Sequence, residues 1–256
     1  MNVNKIVLSL IGIFLLFAIF CSINIGMSWD EPQNHWQGAV RANYLKSFAF
    51  GKFEFIPGGW SEVEPGLYDT FSFIISDLLL KIFPGKLIGI KHLTNLTFSF
   101  LTLIGLFLVS KKIFNKEIAY LATFLCLTNP FFFGHISINP KDTISCFALV
   151  WFAYYIYMYC INFQKKRLRF LILASFFMGV GVGTRLPFFA VPIPIIISAM
   201  IFIILAHNTQ FKDYQIYKKI FFDFLIFCSI TFFLMVVAWP YVHASPNILI
   251  QAFTSY

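Results

Sequence analysis

The sequence predicts an all-α integral membrane protein of about seven transmembrane helices, whose long first extracytoplasmic loop carries interfacial helices. Three observations lead there. Of its 256 residues 59% are hydrophobic and 12% charged, and the mean hydropathy is +0.79, well outside the range of a water-facing domain. Apolar runs of crossing length recur, at Ile6 to Gly26, Leu93 to Val109, Ile144 to Ile161, Phe188 to Ala206 and Phe224 to Ala238. The lysines and arginines behind the net charge of +8 gather in short clusters between these runs, the pattern of cytoplasmic loops and not of a nucleic-acid surface.

The first run follows Lys5. It is longer than the roughly 7–15 apolar residues of a secretory signal and lacks a small-x-small cleavage site, so it reads as a retained signal anchor. The basic clusters are Lys111, Lys112 and Lys116; Lys165, Lys166, Arg167 and Arg169; and Lys212, Lys218 and Lys219. Phe71 to Phe83 is apolar, but at about 13 residues, and with Asp77 inside, it is too short to span and fits an interfacial helix. The expected crossings are then 6–26, 90–110, 118–134, 143–162, 170–184, 187–206 and 220–238, in a single membrane domain over 1–256 with the N-terminus cytoplasmic. With that topology 11 of 19 Lys+Arg but only 3 of 11 Asp+Glu lie inside, counting Asp223 near the inner end of the last crossing. Acidic residues contribute little to orientation, so the carboxylates gathered outside need another cause. Cys21, Cys126, Cys146, Cys160 and Cys228 fall in or at the ends of apolar runs without a C-x-x-C pair, which gives no support to a disulfide framework or a zinc site.

The outer loop 27–89 opens on Ser28-Trp29-Asp30-Glu31-Pro32, where Asp30 suits an N-cap and Pro32 the first helical turn. Trp36, Val40 and Tyr44 form an apolar stripe at spacing four, which predicts a helix lying flat on the bilayer. Gly51 and Pro57-Gly58-Gly59 end it. Farther along, Asn129-Pro130 and Gly179-x-Gly181-x-Gly183 allow kinks or close helix contact.

Five charged residues are expected at one boundary. Asp30 and Glu31 stand at the outer end of the first crossing, where a carboxylate can serve as a base; equally, Asp30 can cap a helix and Glu31 complement its positive end, worth about 0.3–1 kcal/mol. Lys141 and Asp142 lie in the short loop Gly134 to Asp142, where Asp142 could instead cap the next helix and Lys141 simply be solvated. Arg185 sits at a hairpin tip, Gly183-Thr184-Arg185-Leu186-Pro187, able to clamp a phosphate or to meet lipid headgroups non-specifically. His135 reads as a solvated loop residue, and His243, after Trp239-Pro240-Tyr241, shares the same face. Such a mixture can deprotonate a hydroxyl and stabilise a phosphate leaving group. Outward carboxylates could hold a divalent ion, though no ligand spacing demands one.

In its order of motifs and its topology the chain resembles the GT-C type membrane glycosyltransferases, in particular the protein O-mannosyltransferase and aminoarabinose transferase branch. The resemblance is carried by Asp30-Glu31 after the first crossing, Asn139-Pro140-Lys141-Asp142 before the fourth, the glycine-rich crossing ending Gly183-Thr184-Arg185, and Glu64-Pro65-Gly66-Leu67-Tyr68 before the interfacial segment. It implies inverting transfer of a sugar from a polyprenyl-phosphate donor to an acceptor hydroxyl on a glycolipid, polysaccharide or protein, at the outer face. Asp30 would be the base with Glu31 its neighbour or alternative, and Asp142, Lys141, Arg185 and His243 would bind substrate. There are two departures. A His-Pro-Pro-Leu-type sequence is replaced by Glu64-Pro65-Gly66-Leu67, which argues against a close protein mannosyltransferase, and the branch usually continues through further crossings, so a longer protein is expected. Abundant Phe, Ile, Lys and Asn fit a bacterial inner membrane protein. The rival classes are a transporter or lipid flippase, which would place its ionisable groups near the midplane, and a non-catalytic membrane scaffold.

Overall fold

The computed structural model describes residues 3–50, 64–206 and 214–254, which hold helices and short connections and no strand. In chain order the helices are α1 (Val3–Asn24), α2 (Glu31–Ala49), α3 (Leu67–Leu80), α4 (Leu87–Ile113), α5 (Lys116–Thr128), α6 (Pro130–His135), α7 (Pro140–Ile161), α8 (Arg167–Thr184), α9 (Ile193–Ala206), α10 (Tyr214–Val236), α11 (Pro240–Ala244) and α12 (Asn247–Thr254), with a 3₁₀ turn at Leu186–Ala190 before α9. Gly51, Pro57-Gly58-Gly59 and Lys212 lie outside the described residues.

Among the described residues six stretches are long and apolar enough to cross a bilayer: Lys5–Asn24, Leu87–Ile113, Pro140–Ile161, Arg167–Thr184, Leu186–Ile203 and Tyr217–Val236. Residues 118–134, expected as one continuous crossing, form two helices. Asn129 turns extended, and its side chain accepts the N–H groups of Phe131 and Phe132 at 3.0 and 3.2 Å, so α6 starts afresh at Pro130, which has no N–H to carry α5 onward. The 13 residues of α5 span about 20 Å, short of a hydrocarbon core of about 30 Å. The chain nevertheless runs back along α4, because the Ile136 carbonyl accepts from Ser99 Oγ at 2.6 Å, in the first half of that helix.

Two cores build the bundle. α1, α4, α5 and α6 meet around Leu96, Leu103, Leu127 and Ile136, while α7, α8 and α10 meet around Phe152, Met178 and Trp239. They are joined where α4 crosses α7: Trp151 Nε1 donates to the Leu101 carbonyl at 3.1 Å, and Gly105 faces Val150 and Trp151. Side chains such as Phe20, Leu205 and Phe233 stay exposed, as lipid-facing residues do. The expected close contact at the glycine-rich stretch falls between α8 and α10, where a Cβ on Gly183 would lie 2.8 Å from the Leu234 carbonyl oxygen.

In the connection between α1 and α4 the polar side chains, and not only the apolar stripe, decide the packing. α2 turns its polar side inward, burying Glu31, Asn34, Gln37, Gly38 and Arg41 together with Ala42 and Tyr44, and leaves Trp36 exposed. Its partner is α3, which approaches so closely that Gly38 sits against the main chain of Asp69. α3 matches the short helix expected near Phe71 to Phe83 and also buries polar residues, Thr70, Ser72 and Ser76. A buried polar group must find a partner inside the protein. The packing of these two helices therefore gathers hydrogen-bonding groups at one end of the bundle, opposite Lys111, Lys112, Lys165 and Lys166.

Candidate active site

Six residues, 25–30, carry the chain from α1 into α2. Asp30 holds the N-cap position without capping: its carboxylate accepts from Ser28 Oγ at 3.0 Å and Asn34 Nδ2 at 3.4 Å and is exposed. The Ser28 N–H donates to Glu31 Oε2 at 2.6 Å, which folds the connection onto the helix start.

Glu31 is buried, and its Oε1 lies 2.8 Å from Nε2 of His92 on α4. That contact is an ion-pair distance off the line of the ring N–H rather than an aligned hydrogen bond. The other ring nitrogen of His92, Nδ1, is 3.0 Å from the Ser22 carbonyl at the end of α1. Lys91 Nζ donates to the Glu31 carbonyl at 3.2 Å. Burial by itself raises the Glu31 pKa, but His92, the Ser28 N–H and Lys91 together outweigh it and hold the carboxyl below its ordinary range.

Beside this pair is a cavity of about 20 Å³, room for one water, bordered by Glu31, His35, Asp69, Lys91, Asn95 and Ser137 among others. Burial, then Lys91, lowers the His35 pKa and favours its neutral ring. Asn95 knits the floor, its Oδ1 accepting from Thr143 Oγ1 at 2.7 Å and from the Tyr68 hydroxyl at 3.4 Å.

A line of charged groups leads away from the cavity. Arg41 and Asp69 face each other at 3.5 Å with side chains 1% and 10% exposed, and Arg41 also donates to the Glu64 carbonyl at 3.0 Å. Burial pushes the Asp69 carboxyl up in spite of Arg41, Lys141 and Lys91, and pushes the Arg41 guanidinium down in spite of Asp69. Glu64 in turn holds Lys141 Nζ at 2.8 Å. Next to Lys141, Asp142 pairs with Arg185 at 2.9 Å, on side chains about half exposed.

The structure thus joins most of the residues singled out in the sequence, in two groups. Glu31 borders the cavity with Asp30 exposed beside it; Lys141, Asp142 and Arg185 stand together at the α7 and α8 ends, tied back through Glu64, Arg41 and Asp69. Asp142 does not cap α7. Asn139 does, its Oδ1 accepting from the Asp142 N–H at 3.3 Å, while its Nδ2 donates to Asp142 Oδ2 and contacts His135 Nδ1, each at 2.8 Å. His243 is placed elsewhere, bonding the Val236 carbonyl at 2.8 Å and packing on Tyr44 and Phe48, about 20 Å along the α2 axis from Glu31. Lys91, His92, Arg41, Asp69 and Asn95 escaped the sequence reading. Lys91-His92, two polar residues breaking the start of an apolar run, was the available signal. Among the described residues no group of three or more His, Cys, Asp or Glu could hold a metal ion.

A search of the curated proteins and a search of the solved structures each returned no significant match. A family model described as dolichyl-phosphate-mannose-protein mannosyltransferase matches residues 71–239, which takes in α4 to α10, Lys91, His92, Lys141, Asp142 and Arg185, and starts after Asp30 and Glu31. With two thirds of its length inside that match and an all-helical membrane architecture around it, the chain belongs to this family of GT-C type membrane glycosyltransferases.

Proposed function

We propose that the protein transfers a sugar, with inversion, from a polyprenyl-phosphate donor to an acceptor hydroxyl at the face opposite the basic clusters, with Asp30 as general base. The observation that carries this reading is the contrast within the acidic pair: Glu31 is buried against His92, whereas Asp30 is exposed beside it and held only by Ser28 and Asn34. A hydroxyl is a weak nucleophile at neutral pH, and a carboxylate placed to take its proton contributes about 10²–10⁴-fold.

The leaving phosphate gains charge as the glycosidic bond breaks, and the nearby cations can stabilise it. Arg185 and Lys141 are neutralised by Asp142 and Glu64 in this state, but both pairs are partly open to solvent, and exposed pairs contribute only about 0–1 kcal/mol. An incoming phosphate can therefore displace the carboxylates at little cost. Lys91 adds a third cation on the Glu31 side. The isoprenoid tail stays in lipid beside the bundle, and side chains carry the catalysis, with a divalent ion on outward carboxylates as the alternative. The localisation that goes with this reading is a bacterial inner membrane, N-terminus cytoplasmic.

The test is single-turnover release of polyprenyl phosphate by purified protein given a polyprenyl-phosphate sugar and a hydroxyl acceptor. Asp30→Asn should slow release by about 10²–10⁴-fold with insertion and thermal unfolding unchanged. Turnover near wild type in that variant removes Asp30 from the mechanism, and retained anomeric configuration in the product removes inversion.

A further inference from the structure

We propose that His92 is a positioning residue for this site: its ring ties the end of α1 to the start of α2 through Glu31 and thereby fixes the neighbouring Asp30 carboxylate. The inference deepens the reading of Asp30 as base and rests on it.

Three helices meet at this imidazole. It projects from the second turn of α4 and is fully buried, at 0% exposure. Nδ1 lies 3.0 Å from the Ser22 carbonyl, in the last turn of α1, where a helix leaves carbonyls without an intrahelical donor. Nε2 lies 2.8 Å from the carboxylate of Glu31, the first residue of α2. The six-residue connection that carries Asp30 is thus anchored on both sides by one ring, and Lys91, the adjacent residue of α4, adds its bond to the Glu31 carbonyl at 3.2 Å.

A carbonyl only accepts, so Nδ1 bears a hydrogen, and Nε2 then attracts the carboxylate only while the pair carries one further proton, on the ring or on Glu31. The pair works as a tie while it holds that proton. Once the proton is lost, a nitrogen lone pair faces a carboxylate and the two repel. The charged and titratable groups around the pair are Lys91 on α4, Asp30 just before α2, His35 on α2, and Asp69 and Tyr68 on α3; α1 offers the Ser22 carbonyl.

Two substitutions separate positioning from chemistry. Glu31→Gln keeps the tie without a charge, because its amide can donate to an unprotonated Nε2. His92→Phe fills the same space and makes neither contact. In the full chain, with release of polyprenyl phosphate measured from about pH 6 to about pH 9, His92→Phe should lower kcat by about 10- to 100-fold with the donor KM little changed, the size expected for a base displaced by about 1 Å. Glu31→Gln should keep at least about a tenth of kcat, and adding it to His92→Phe should cost nothing more. Thermal unfolding of the same double-mutant cycle reads the tie without reference to the base, and the two single Tm shifts should sum to more than that of the double variant. Glu31→Gln as inactive as Asp30→Asn, or His92→Phe with wild-type kcat, overturns the proposal, as do Tm shifts that add. Turnover retained by Asp30→Asn alongside non-additive Tm shifts would sink the base assignment and leave the tie standing.

Discussion

Charged groups are buried at both ends of this bundle, in two different ways. At the basic end, Asp223 of α10 takes Arg167 Nε at 2.8 Å and the Tyr159 hydroxyl at 2.9 Å on one oxygen, so α7, α8 and α10 are fastened at a single point. At the other end the charges spread over α2, α3, α4, α7 and α8, line a cavity, and leave Asp30 exposed. The first arrangement fixes helices. The second also leaves the Asp30 carboxylate and the Glu64–Lys141 and Asp142–Arg185 pairs open to water. Substitutions at the two ends should therefore separate stability from turnover.

The largest effects test that separation directly. Asp30→Asn should abolish most turnover at unchanged Tm, as argued above; Asp223→Ala should do the reverse. Removing one member of a buried pair leaves the other charge unpaired and costs about 3–5 kcal/mol. Asp223→Ala should thus lower the thermal unfolding midpoint sharply while the folded fraction keeps its kcat. A normal Tm, or a kcat loss beyond the loss of folded protein, would merge the two ends into one functional class.

Next in size is the α2–α3 crossing. A Cβ on Gly38 would meet the main chain of Asp69, which cannot rotate away as a side chain can. Gly38→Ala should cost about 1–3 kcal/mol as an overpacked contact and, because Asp69 borders the cavity, lower kcat too. Gly183→Ala meets a backbone oxygen of α10 and should cost a similar amount of stability with little change in kcat. Tm and kcat measured on both variants decide whether proximity to the cavity is what matters.

Smaller still is the acid limb of stability. The Glu31 pKa in the folded protein is lowered, so its contribution is fully present above the unfolded value of about 4.5 and is lost as pH falls through the lower folded value. Below about pH 4.5 the wild type should lose Tm faster than Glu31→Gln. Parallel curves would show that Glu31 gains nothing from His92, Ser28 and Lys91.

The helices were legible because membrane crossing imposes a length and an apolar composition that few other structures share; the six long stretches fall close to the expected ones. The division of 118–134 had its signal in Asn129-Pro130, read as a kink, though an asparagine able to cap a new helix changes a bend into a start. On α2 the stripe Trp36, Val40, Tyr44 predicts a face for the bilayer and says nothing of the opposite face, where Arg41 finds Asp69 on α3 and the Glu64 carbonyl. Of the site, the local pairs Asp30-Glu31 and Lys141-Asp142 could be read in sequence, since adjacency is visible there. For His92, Asn95 and Asp69 the sequence shows at most that polar residues interrupt apolar helices, as Lys91-His92 does, and only the packing of α2 and α3 against α4 reveals what each meets.

The smallest effect distinguishes the two cations at the α7 and α8 ends. Arg185 and Lys141 each release a carboxylate when a phosphate arrives, but a guanidinium can offer two parallel N–H bonds where an ammonium acts as a point charge. Because the Arg185–Asp142 pair is about half exposed, its loss should leave Tm nearly unchanged, within about 0–1 kcal/mol of stability. Arg185→Ala should raise the donor KM by several-fold to about tenfold, Lys141→Ala by less, and Arg185→Lys should fall between them. Equal donor KM values in the three variants and the wild type would remove the phosphate clamp from this end of the bundle and leave Lys91, on the Glu31 side of the cavity, as the cation that meets the donor.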